Sequence, residues 1–134
     1  MNKALFLDRD GIINIDYGYT YKINQFKPVD SISDLIYKAK IKEYIVICIT
    51  NQSGIEKGFF TLDDFNSFMD QINLYLFEEC GFKLDDTYVC PHDDIVQLAK
   101  YGKKCNCRKP KTALITKAVE QYSIDVDQSI MIGD

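Results

Sequence analysis

Between Tyr44 and Ile49 the chain reads Tyr-Ile-Val-Ile-Cys-Ile and then meets Thr50. Side chains alternate across a strand, so a run with no polar position on either face has both faces covered, as in the centre of a parallel sheet. Ala4–Leu7 is a shorter run of the same kind, and it ends on Asp8. Between the two, Ile32, Leu35, Ile36 and Ala39 recur at helical spacing toward about Lys42, with Asp30 or Ser31 as a cap. After the central run, Thr61 opens Thr-Leu-Asp-Asp, a variant of the capping box. Leu62, Phe65, Met69, Ile72 and Leu76 then mark one face of a second helix that Gly81 can end. A third run at Thr87–Cys90 comes next, then a helical pattern on Leu114, Ile115, Ala118 and Val119 between about Lys111 and Tyr122, then a fourth run at Ser129–Ile132.

Strands and helices thus alternate strictly. That order predicts an α/β fold, a Rossmann-like three-layer parallel sheet with right-handed crossovers and helices on both faces. With 134 residues, 46% of them hydrophobic, the chain is expected to form one domain over residues 1–134. It has no apolar stretch of membrane-spanning length, and charge arrives too early for a signal peptide, so a cytoplasmic location and no membrane partner are expected. A formal charge of -4 disfavours nucleic acid, whose phosphates would repel it. The expected partner is a small molecule, and the expected state a monomer. Five cysteines in such a chain point to reduced thiols, used for metal binding or burial, because the cytosol opposes disulfides. Cys48 and Cys80 fall on apolar faces and read as core.

In open α/β sheets, ligands collect beyond the carboxyl ends of the strands. Asp8, Thr50 and Asp134 each stand at such an end. Any one of them alone fits a solvated turn; three on one edge point to a site. Asp8-Arg-Asp-Gly11 places two carboxylates two residues apart, so in extended chain both can face one cavity. One carboxylate in line with a leaving oxygen can attack phosphorus, while a second, protonated, gives its proton to the departing alcohol and later takes one from water. Asp8 suits the first role and Asp10 the second, and Gly11 allows the chain to turn away sharply.

Thr50-Asn-Gln-Ser-Gly54 extends the central strand with hydroxyl, amide and backbone N–H donors that can hold phosphate oxygens, or can simply cap a turn. Arg108 and Lys109 are either an exposed basic pair or a clamp for transferred phosphoryl charge. Asp134 can end a strand or complete the shell of a hard cation that keeps several waters, as Mg2+ does.

A separate group, Cys90-Pro-His92 and, after twelve residues, Cys105-Asn-Cys107, offers three thiolates and one imidazole. The set matches tetrahedral structural Zn2+, although its spacings are tighter than those of a zinc finger. Four protein ligands close the shell, so this zinc is expected to pin the 90–107 loop and aim Arg108 and Lys109 without activating water.

Taken together, Asp8-Arg-Asp-Gly11, Thr50-Asn-Gln-Ser-Gly54, Cys105-Asn-Cys-Arg-Lys-Pro110 and Gly133-Asp134 resemble the haloacid dehalogenase superfamily of phosphatases. They look like the branch containing D-glycero-D-manno-heptose 1,7-bisphosphate 7-phosphatase and histidinol phosphate phosphatase. The resemblance covers the whole chain in order and spacing. It implies Asp8 as nucleophile of an aspartyl-phosphate and Asp10 as general acid and base. It implies magnesium on the Asp8 carboxylate, the Asp10 carbonyl and Asp134. Thr50 and Lys109 would then stabilise the phosphoryl group, Asn51, Gln52 and Ser53 would line the substrate site, and Arg108 would help to recognise substrate. Asp16, Tyr17, Gly18 and Tyr19, otherwise a turn, would be a substrate-contacting loop. The length of the gap between His92 and Cys105 favours the heptose bisphosphate, whereas Asp93 departs from the histidine expected there. Family members continue beyond the Gly-Asp pair, so the fold is expected to be C-terminally incomplete at Asp134.

Overall fold

The computed structural model describes residues 1–92 and 113–133. Strands β1 (Ala4–Leu7), β2 (Ile45–Asn51), β3 (Asp86–Cys90) and β4 (Ile130–Ile132) form one parallel sheet in the order β3-β2-β1-β4. In register, Leu5 lies between Val46 and Ile130, and Phe6 between Ile47 and Met131.

The alternation of side chains sorts the sheet into two apolar layers. Leu5, Leu7, Val46 and Cys48 point to one face, where α1 (Ile32–Ile41) and α2 (Leu62–Cys80) cover them with Ile36, Phe68, Ile72 and Leu76. Ala4, Phe6, Ile47 and Ile49 point to the other, where Leu114 and Ala118 of α3 (Ala113–Tyr122) lie. The absence of alternation in the central run therefore has the expected cause, and the expected three-layer architecture is observed.

Helix ends obey local chemistry. The Thr61 hydroxyl accepts from the Asp64 N–H at 3.0 Å and the Asp64 carboxylate accepts from the Thr61 N–H at 2.9 Å, while Gly81 ends α2 at φ +82°. The start of α1 differs from expectation. Ser31 is left-handed, at φ +67°, and makes no side-chain cap; the chain enters through a backbone turn in which Ile32 N–H donates to the Val29 carbonyl at 3.2 Å. On the opposite layer, the Tyr122 hydroxyl donates to Asp86 at 2.6 Å, tying α3 to β3, and this bond pushes the phenol up to about 12.

The carboxyl edge of the sheet is shaped by its strand order and by one excursion of the chain. Strand order steps outward from β1 through β2 to β3 and then returns to the far side of β1 for β4. The point of reversal lies at the carboxyl ends of β1 and β4, where Asp8 and Gly133 are. Beyond β1 the chain makes a long excursion closed at its base by backbone pairing. Ile15 N–H donates to Lys27 O at 2.8 Å and Val29 N–H to Ile13 O at 2.9 Å, and the excursion carries residues 16–26 out over the sheet edge.

Candidate active site

Asp8 is the first residue past β1, and its N–H still donates to the Ile132 carbonyl at 3.0 Å, which ties it to β4. Its Oδ1 accepts the Arg9 N–H at 2.9 Å. A methyl group on Gly133 would stand 3.0 Å from the Asp8 Cβ, so any larger residue at the β4 exit would press on this side chain. Gly11, at φ +84°, turns the chain back, and its N–H donates to the Asn14 carbonyl at 2.7 Å.

Asp10 is held through both carboxylate oxygens. Oδ1 accepts from Arg9 Nε at 3.1 Å, Arg9 Nη2 at 2.9 Å and Asn14 Nδ2 at 3.1 Å. Oδ2 accepts from Gln52 Nε2 at 3.0 Å, and the same amide nitrogen donates to Thr50 Oγ1 at 3.0 Å. The motif after β1 and the motif after β2, separate in the sequence, are thus joined through one glutamine.

Several expected residues come together here. Asp8, Asp10, Thr50 and Gln52 share the sheet edge, and Asn51 ends β2 beside them. Gln52 is 4% exposed, and its amide nitrogen donates to both Asp10 and Thr50 from inside the protein. Ser53 lies next in the turn and accepts the Lys57 N–H on its carbonyl at 3.1 Å.

Asp16 to Tyr19 form the tip of the excursion. The Asp16 carboxylate accepts the Gly18 N–H at 2.8 Å, Gly18 and Tyr19 are left-handed at φ +80° and +48°, and the Tyr17 N–H donates to Thr20 Oγ1 at 2.8 Å. The Tyr19 ring meets the Phe59 ring edge to face at 4.8 Å, and Lys57 Nζ donates to the Tyr19 hydroxyl at 2.6 Å. The tip of the excursion is thereby fastened to the turn after β2.

At the end of β3, Cys90 Sγ and His92 Nδ1 lie 3.8 Å apart. These are the two members of the expected zinc set that fall on described residues. Cys48 is buried and Cys80 half-buried in the apolar layer under α1 and α2, as expected of core cysteines. Cys105, Cys107, Arg108, Lys109 and Asp134 lie outside the described residues. Among the described residues no group of three or more metal-type side chains occurs, and no helix is long and apolar enough to cross a membrane.

Two residues were not singled out from sequence. Arg9 and Asn14 are fully buried and both face the Asp10 carboxylate. The available signal was alternation: if Asp8 and Asp10 share a cavity, the residue between them must point into the protein.

A parallel sheet whose order reverses beside a paired-aspartate turn, with hydroxyl and amide donors on the next strand, defines a haloacid dehalogenase-like phosphatase. Comparison with known proteins agrees: residues 10–134 match the family model described as polynucleotide kinase 3 phosphatase. The chain is 42% identical over 134 residues to the D-glycero-beta-D-manno-heptose-1,7-bisphosphate 7-phosphatase of Haemophilus influenzae, an alignment spanning all of this chain and 72% of that protein. It is 46% identical over 133 residues to the Helicobacter pylori protein of the same name, covering 99% of this chain and 73% of that one. The crystal structure of D,D-heptose 1,7-bisphosphate phosphatase from B. bronchiseptica, complexed with magnesium and phosphate, superposes with a TM-score of 0.84 at 27% identity, over 98% of this chain and 70% of that one. The chain belongs to the heptose bisphosphate phosphatase family of the haloacid dehalogenase superfamily.

Proposed function

We propose that this protein hydrolyses the 7-phosphate of D-glycero-D-manno-heptose 1,7-bisphosphate through an aspartyl-phosphate on Asp8. The observation that carries the chemistry is the pair at the switch point: Asp8 beside β4, and Asp10 with its carboxylate oriented by Arg9, Asn14 and Gln52. The names of the relatives support the substrate.

An Asp8 carboxylate oxygen attacks phosphorus, the bond from phosphorus to the sugar oxygen breaks, and Asp10 gives its proton to that oxygen. Water then attacks the aspartyl-phosphate, Asp10 takes the water's proton, and the bond from phosphorus to Asp8 breaks to release inorganic phosphate. Thr50 Oγ1 accepts from Gln52 and donates only a long bond, 3.4 Å, to the Asn51 carbonyl, so its hydroxyl hydrogen is the group to turn toward a phosphoryl oxygen. Lys109 adds positive charge to the transferred group, and Arg108, Asn51, Ser53 and the Asp16–Tyr19 loop contact the substrate.

Magnesium would be held by the Asp8 carboxylate and the Asp10 carbonyl, with Asp134 as a third ligand from sequence; all three offer the hard oxygens this cation takes. Bound there, the ion would neutralise phosphoryl charge. A second ion, zinc on Cys90, His92, Cys105 and Cys107, requires the reduced thiols; it would fix the 90–107 loop within a single phosphatase domain spanning residues 1–134. The protein acts in the cytoplasm as a monomer, on a small sugar phosphate and neither nucleic acid nor membrane. The -4 charge supports that choice against the polynucleotide substrate in the family model's description.

The test is phosphate release with and without magnesium from both anomers of heptose 1,7-bisphosphate, histidinol phosphate and a 3′-phosphorylated oligonucleotide. Release is expected from the heptose, to depend on magnesium, and to vanish in Asp8→Asn. Preference for either other ester overturns the substrate, and unchanged turnover in Asp8→Asn overturns the nucleophile. Metal analysis of the chain purified under reducing conditions is expected to find one zinc; its absence removes the zinc site.

A further inference from the structure

We propose that Arg9 is a positioning residue for the reaction, turning the Asp10 carboxylate so that Oδ2 alone is presented for proton transfer and locking that orientation to the entrance loop. This role presupposes the Asp8 and Asp10 chemistry above. Arg9 is 0% exposed and among the largest fully buried side chains. Burying a guanidinium is costly unless its partners are well placed, and the layer beneath β1 is otherwise apolar, so a leucine or methionine would serve packing alone.

The polar contacts of Arg9 run to the site. Nε and Nη2 hold Asp10 Oδ1 as a fork at 3.1 and 2.9 Å, and Nη2 also donates to the Thr20 carbonyl at 2.7 Å. The guanidinium lies over the Phe68 ring at 4.6 Å from its centroid and 5.5 Å from that of Phe65, both on α2. Nη1 is buried and makes no hydrogen bond among the described residues, so the polar contacts of the guanidinium run through Nε and Nη2. Oδ1 of Asp10 therefore receives three donors and is turned inward, whereas Oδ2 receives one, from Gln52, and keeps lone-pair capacity toward the cavity. Because Thr20 comes directly after Tyr17–Tyr19, the same arginine sets the height of the loop that would contact substrate.

Lysine cannot replace it: a point charge on a flexible stem does not reproduce a planar fork that holds one oxygen through two nitrogens and reaches a carbonyl as well. Misorienting Asp10 should matter in proportion to the need for its proton. A sugar alkoxide leaves poorly without an acid, whereas p-nitrophenolate leaves unaided. A merely structural role would slow both alike.

The experiment compares wild type and Arg9→Lys, with magnesium, on heptose 1,7-bisphosphate and p-nitrophenyl phosphate, reading leaving-group release in the first turnover, KM, and acid-quenched aspartyl-phosphate. The sugar ester is expected to slow roughly 10- to 100-fold more than the aryl ester, within the range of general acid catalysis. KM should change little, and phosphoenzyme should accumulate on the aryl ester, because Asp10 is also the base for its hydrolysis. Equal loss on both esters, or no loss, overturns the role. If Arg9→Lys does not fold, Phe68→Leu leaves the arginine but removes the ring beneath it. The same selectivity at smaller size supports the role, and an equal effect on both esters refutes it. A wild-type chain inactive on both esters overturns the reaction and the role together.

Discussion

The floor of the site and its rim are built from different materials. Around Asp10 the holding groups are buried polar side chains, Arg9 and Asn14 at 0% exposure and Gln52 at 4%, each joined to a carboxylate oxygen at 2.9 to 3.1 Å. At the rim the residues are exposed aromatics, Tyr17 at 54%, Tyr19 at 44% and Phe59 at 53%, joined by ring edges and by Lys57. A buried polar network is stable only when nearly every member is paired, so changing one member strands the others in low dielectric. An exposed ring or lysine can be exchanged at little cost. Under the proposed function the difference would separate tasks: the reaction would be fixed where substitution is expensive, and the leaving group chosen where it is cheap.

The largest effect expected from breaking this contrast is at its centre. Asp10→Asn keeps the size and most of the hydrogen-bonding shape of the side chain but removes the proposed proton shuttle. Turnover of the heptose ester should fall about 10²- to 10⁴-fold with folding retained. A loss confined to KM, measured by steady-state kinetics beside a thermal melt, would place Asp10 in binding and erase the distinction between floor and rim.

Much of the floor was legible in the sequence, and the rim less so. Ala4–Leu7, the central strand and α2 could be located because continuous apolarity, helical spacing, the Thr61 cap and Gly81 are local signals with local causes. Asp8 and Asp10 stood out because they close a strand. Arg9 did not, because a charged residue between two charged residues looks solvated until the direction of the chain is known. Gln52 read as a phosphate donor because an amide is equally able to serve phosphate or Asp10, and its 3.0 Å contact with Asp10 depends on where two distant segments meet. The excursion over residues 12–29 was opaque because its pairing, Ile15 with Lys27 and Val29 with Ile13, rests on backbone groups that every residue carries.

Gly54 lies on the boundary between the two regions and offers an intermediate effect. A methyl group there would stand 2.4 Å from Phe60 Cε1 and 2.8 Å from Tyr19 Cδ1. Phe60 is 5% exposed and stacked on Tyr21 at 4.9 Å, so relieving the 2.4 Å contact disturbs a packed ring, and the Tyr19 ring must move as well. Gly54→Ala is expected to cost about 1–3 kcal/mol in urea unfolding, the usual penalty of overpacking, and to lower kcat/KM by displacing the entrance loop. If stability falls while kcat/KM stays, the position of Tyr19 does not govern access.

The smallest effect belongs to Lys57, whose contact with Tyr19 is a hydrogen bond at 2.6 Å with the ammonium 5.2 Å from the ring centroid. Exposed interactions of this kind are worth about 0–1 kcal/mol, so Lys57→Ala should leave kcat unchanged and raise KM by at most about fivefold. The direction of that change carries the information. Lys57 is the sole cation between Gln52 and Phe60, and a rim cation assists a substrate that bears a second phosphate more than one that bears a single phosphate. KM for the 1,7-bisphosphate should therefore rise more than KM for p-nitrophenyl phosphate, and added salt should shrink the difference between the two. An equal rise for both esters, insensitive to salt, would mean that the lysine only props the Tyr19 ring, and leaving-group selection would then have to be sought deeper, among the residues that hold Asp10.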